Sequence, residues 1–141
     1  VTISIWIKLG NGANNYSRFM LKNPGWNYYL GIRGNDGYVI WYSDVKTWTA
    51  GYSGILNNGP WANIVFTYDS NLGGNNMKYY VNGVLKNQTA ATGTLSAGAS
   101  TFTVATQDFT GWIGNSSLYN KALSLDEINQ NYNAKKSIYG L

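Results

Sequence analysis

Asn82-Gly83 stands between two runs, Met77-Lys78-Tyr79-Tyr80-Val81 and Val84-Leu85-Lys86-Asn87-Gln88-Thr89. Both central residues of a type I′ turn need positive φ, which Asn-Gly tolerates best, so this stretch calls for a tight β-hairpin. Alternation puts Met77, Tyr79 and Val81 on one face and Lys78, Tyr80 and Asn82 on the other. Of the adjacent tyrosines, Tyr80 is the one expected to look outwards.

Strand signatures recur along the chain. Residues 1–9 alternate, with Val1, Ile3, Ile5, Ile7 and Leu9 on one face and Thr2, Ser4, Trp6 and Lys8 on the other. Residues 16–22 read as a short strand ended by Asn23-Pro24-Gly25. Residues 26–32 and 38–43 form a hairpin across a Gly-containing loop, and residues 47–60 read as irregular. A strand over 61–69 places Ala62, Ile64, Phe66 and Tyr68 on one face, and residues 70–76 make a polar loop. Strands at 101–105 and 111–119 complete the β portion. Turn signals about every ten residues favour a sandwich or barrel over a βαβ sheet.

One helix is signalled near the end. Ser124 is its N-cap, and Glu127 three residues on completes a capping box. Leu123 and Ile128 sit at the positions of a hydrophobic staple, and Leu125, Ile128 and Tyr132 share the face that should dock.

Composition narrows the chemistry. The 141 residues suit one domain. There is no cysteine and no histidine, which removes disulfides, thiolate metal sites and the commonest general base. Charged residues make up only 11%, so the polar surface must come from Asn, Ser, Thr and Tyr. The net charge of +4 reflects few acids, and scattered lysines argue against nucleic acid as the partner. No apolar run approaches ~18 residues, so no segment reads as a membrane span.

Trp61 and Tyr68-Asp69, then Tyr80, Asn82 and Gly83, then Tyr119, Ala122, Leu123 and Asp126-Glu127-Ile128 carry a family likeness. Together with Thr2, Ile3, Ser4 and Trp6, they make the chain resemble the concanavalin A-like lectin/glucanase superfamily, in particular its laminin-G-like, pentraxin-related jelly rolls. The resemblance implies an all-β, two-sheet antiparallel jelly-roll sandwich with one short C-terminal helix, over residues 1–141. That family usually has one or two strands before the point where this chain starts. The chain is therefore expected to be the C-terminal part of something longer. Its last residues are similar to the C-termini of laminin-G-like virion proteins of tailed bacteriophages, which implies a virion-surface or extracellular location.

Catalysis is not expected. A retaining glucanase needs two carboxylates about 5 Å apart. Here Glu127 is the sole glutamate, and Asp36, Asp44, Asp69, Asp108 and Asp126 are not spaced to pair along a strand. With two arginines, Arg18 and Arg33, a sialidase site also fails on count. Calcium seeks oxygens from carboxylates, amides and carbonyls. Asp69, Asn71, Asn75 and Asn76, joined by Asp108, offer such donors, although Asp and Asn also simply make turns.

Sugar binding needs aromatic faces beside amides and hydroxyls. Trp26, Tyr29, Trp41, Tyr42, Asp44, Trp48 and Tyr52 cluster in the first half and are the candidate carbohydrate-binding residues; core packing is the competing use of each ring. The expected function is a non-enzymatic recognition or display module contacting glycans or neighbouring protein subunits. The alternative is a carbohydrate-binding module attached to, or left over from, an extracellular glycan-active enzyme.

Overall fold

The computed structural model describes residues 1–10, 17–22, 28–33, 38–43, 49–52, 54–55, 58–95, 101–104 and 109–141. Among these described residues, ten strands form two five-stranded antiparallel sheets: β1 (Thr2–Leu9), β2 (Ser17–Lys22), β3 (Tyr28–Arg33), β4 (Tyr38–Ser43), β5 (Thr49–Tyr52), β6 (Ala62–Tyr68), β7 (Met77–Val81), β8 (Val84–Thr89), β9 (Phe102–Val104) and β10 (Gly111–Tyr119). The first sheet runs β10-β1-β6-β7-β8 and the second β5-β4-β3-β2-β9. Helix α1 (Leu125–Asn133) and a 3₁₀ turn (Lys136–Tyr139) follow.

The core lies between the sheets. Ile3, Ile5, Ile7 and Leu9 of β1 meet Ala62, Ile64, Phe66 and Tyr68 of β6 and Met77, Tyr79 and Val81 of β7, as the alternation predicts. Phe19, Met20, Leu30, Ile32, Val39 and Trp41 close the core from the second sheet. The hairpin turn has the expected positive φ, 51° at Asn82 and 78° at Gly83. Asn82 also locks it to β6: its N–H donates to Asn63 O, and its side-chain oxygen accepts from the Asn63 N–H, both at 2.9 Å.

The outer face of the first sheet is covered too, which corrects two expectations. Tyr80 does not look out; it is only 4% exposed, packed with Val65, Leu123 and Ile128 beneath α1. Leu125, expected on the docking face, is 48% exposed, and Ile128 alone of the three is buried. The capping box is present in both directions. Thr2 anchors the connection into the helix: its hydroxyl donates to Lys121 O and accepts from the Leu123 N–H, each at 2.8 Å.

Further along the same face, Trp6 lies under two rings. Tyr132 stacks on it at 5.7 Å and Tyr139 at 4.1 Å between centroids. Opposite Trp6 the ladder carries a β-bulge, because Ile5 pairs with Ser116 but Ile7 with Ile113. Gly114, inside the bulge, leaves room for Tyr139, whose hydroxyl a Cβ at that position would strike. The Asn115 N–H donates to that hydroxyl at 2.7 Å. The segment 47–60, expected to be irregular, contributes edge strand β5, paired with β4.

Candidate functional site

The expected aromatic cluster divides. Trp41 is a core residue with no exposure, stacked on Phe66 at 3.8 Å, and cannot meet a sugar. The correction follows from strand parity: Val39, Trp41 and Ser43 point into the sandwich, and Ile40 and Tyr42 point away from it. Tyr29 and Tyr42 stack on the outer face of the second sheet, 5.4 Å apart and 8° from parallel, with the Arg18 guanidinium 5.3 Å from the Tyr29 ring. Tyr29 is itself buried, so of this pair Tyr42 is the ring with surface to offer. Trp26, Asp44 and Trp48 lie outside the described residues, as does the side chain of Tyr52.

At the rim, the loop after β6 is held by its own donors. The Asp69 carboxylate accepts from the Asn71 N–H at 3.0 Å, an Asx turn. Asn75 takes a positive φ of 49° and is exposed. The Asn76 side chain is buried and committed: it donates to Leu72 O and Ala91 O and accepts from the Ala91 N–H. It acts as a loop clamp, its carbonyl oxygen holding the segment after β8. Asp108 lies outside the described residues, and no group of three His, Cys, Asp or Glu forms among those described.

One cleft of about 240 Å³ does bring two carboxylates to its walls, Asp69 and Glu127, beside Lys78 and Ser124. Its electrostatics oppose acid catalysis. The Lys121 ammonium bonds Glu127 and, with the Ser124 N–H, holds its carboxyl below the usual range. A glycosidic general acid needs the opposite shift.

The opposite end of the first sheet's outer face is open, and sequence reasoning missed it. Beyond the rings over Trp6, the next row across the strands is Trp112 of β10, Lys8 of β1 and Trp61 just before β6. Register pairs Lys8 with Trp112, and the Lys8 ammonium sits 5.7 Å from that ring's centroid. Trp112 is 57% exposed; Trp61 leans on Tyr139 at 4.8 Å. Beside Trp61 a cleft of about 270 Å³ is lined by Ile55, Pro60, Asn82, Val84 and Lys86. Ile138 adds a further exposed apolar side chain on the 3₁₀ turn. The alternation of 111–119, which puts Trp112 on the face opposite Ile113, was the available signal.

Two antiparallel sheets packed face to face, with a helix laid on one of them, define a lectin-type β-sandwich. The chain belongs to the concanavalin A-like lectin/glucanase superfamily, whose laminin-G-type family model matches residues 1–129. No curated protein matches the chain in sequence. Among solved structures, domain 4 of AbnA, a GH43 extracellular arabinanase of Geobacillus stearothermophilus seen with arabinotriose, is similar at TM-score 0.69 and 21% identity, over 92% of this chain and 64% of that one. A botulinum neurotoxin type C structure, described by its dependence on two ganglioside molecules for cell entry, gives 0.67 and 19%, over 94% and 35%. Trypanosoma rangeli sialidase gives 0.66 and 17%, over 97% and 23%. The chain thus spans less than two thirds of each of these relatives, and at such identities the likeness is one of fold.

Proposed function

We propose that this domain is a non-catalytic saccharide-recognition module that serves on a virion or extracellular surface, and that its contact surface is the row Trp112–Lys8–Trp61. The observation that carries this reading is Trp112, more than half exposed at the open end of a sheet face on which Trp6 and Tyr80 are buried. An indole held on a rigid strand offers an apolar face to a pyranose, and the neighbouring amine and amides can meet its hydroxyls. Relatives of this fold seen with arabinotriose, or dependent on gangliosides, support the choice of ligand class. The chain's single glutamate is engaged in the cap and with Lys121, which supports binding without turnover.

Calcium enters this proposal as a weak ligand of the rim loop, with Asp69 the one carboxylate among the described donors and Asn71 and Asn75 beside it. A second reading, attachment to neighbouring subunits of a larger assembly, is favoured by edge strand β8, where Val84 and Leu85 are both exposed.

A glycan array probed with the intact domain and with Trp112→Ala tests the first reading. Selective binding that Trp112→Ala abolishes is the expected result. Equal, background-level signals from both proteins on every glycan overturn it, and turnover of laminarin or alginate overturns the non-catalytic part.

A further inference from the structure

We infer that the Trp112–Lys8–Trp61 row takes an acidic saccharide, one bearing carboxylate or sulfate, through a lysine cluster that surrounds its rings. This rests on the reading of the row as a saccharide surface and names the ligand's charge. The described acids are confined to one end of the first sheet, with Lys78 and Lys121 beside them. Asp69, Asp126 and Glu127 gather at one end, where Asp69 and Glu127 line one cleft and Lys121 pairs with Glu127. Lys8, Lys135 and Lys136 lie towards the other end, and the described residues that line the cleft beside Trp61 include no acid.

The neighbours of these three lysines are neutral. The Lys8 ammonium faces the Trp112 ring, Lys136 lies 5.8 Å from the Tyr132 ring, and Lys135 donates to the Asn115 side-chain oxygen at 2.6 Å. Rings and amides place a cation without neutralising it, so the cluster keeps its positive field for an incoming anion. An acidic sugar has both halves of the required complement: apolar ring faces for the indoles and an anionic group at the ring's edge. Trp112 and Trp61 are set two strand spacings apart, about 10 Å, which suits an extended saccharide better than a single ring. A neutral glycan would leave the lysines unanswered, and a simple anion would leave Trp112 uncovered.

The test is calorimetric titration of the intact domain with tetragalacturonate and with its carboxyl-reduced, neutral counterpart, alongside a sialylated and a sulfated oligosaccharide. We expect at least one acidic ligand to bind roughly tenfold tighter than its neutral counterpart, with a preference that shrinks as salt is raised. Lys8→Gln should remove most of that preference, and Trp112→Ala should weaken acidic and neutral ligands alike. Thermal melts of both variants confirm folding, and Lys135→Gln provides a second charge removal at a half-buried residue. Equal affinity for the charged and neutral members of every pair overturns the acidic assignment and leaves saccharide binding standing. No binding of any of these saccharides, charged or neutral, by the folded domain overturns both.

Discussion

The Tyr139 ring lies 4.1 Å from that of Trp6 and 14° from parallel, so the end of the chain closes over its first strand. The family match ends at residue 129, yet the rings that cover Trp6 come from residues 132 and 139. Tyr139→Ala should cost about 2 kcal/mol and shift tryptophan emission to the red as Trp6 meets water. Tyr139→Phe keeps the stack and loses only the bond from the Asn115 N–H, about 1 kcal/mol. Urea unfolding followed by fluorescence checks both; equal losses for the two variants would show that the ring contributes nothing.

Trp41 and Trp112 should behave as opposites. Trp41→Ala empties a fully buried site against Phe66 and should cost about 3–5 kcal/mol. Trp112→Ala should stay within about 0.5 kcal/mol of the parent, since little of its surface is buried. For glycan binding the order reverses: any Trp41 variant that still folds should bind normally, and Trp112→Ala should not. Denaturant midpoints and the array, read together, decide it.

Alkaline pH should weaken the fold through Tyr80. Burial under α1 raises its phenol above the ordinary value, an effect the Thr67 hydrogen bond partly offsets. A raised folded-state pKa means stability is intact below the unfolded value of about 10 and is lost as pH rises through the folded one. Tyr80→Phe removes this titration. Melting temperatures from pH 8 to 11 should fall less steeply for the variant, and parallel slopes would remove Tyr80 as the cause.

Calcium, with a single carboxylate to hold it, should bind no tighter than about 10⁻⁴–10⁻³ M. Asp69→Asn should abolish that binding, measured by titration. Asn76→Ala should instead destabilise the domain by about 1–3 kcal/mol with or without calcium, because it orphans backbone groups at Leu72 and Ala91. Micromolar binding would call for ligands beyond the described loop.

What was legible in the sequence was local. Asn82-Gly83, the capping box at Ser124 and Glu127, and the apolar faces of β1 and β6 each depend on neighbours within a few residues. Alternation also told correctly which residues share a face. It could not tell what lies on that face. The sequence points Tyr80 to solvent because a sandwich buries one side of a sheet; here α1 buries the other as well. Trp41 lies in the core because parity along β4 puts it on the inner face with Val39. The row Trp112–Lys8–Trp61 needs the register of β10 and β6 against β1, which strands so far apart in the chain do not announce.

That register also bears on how the domain is made. Thr2 pairs with Thr67 on one side and with Tyr119 on the other, so β1 stays half-paired until the chain has been made well past β6, as far as β10. At 5–20 residues per second, the roughly 50 residues between these two partners take about 3–10 seconds to make. For that time an apolar edge built from Ile3, Ile5 and Ile7 waits for β10, and the interval belongs to chaperones as much as to the chain.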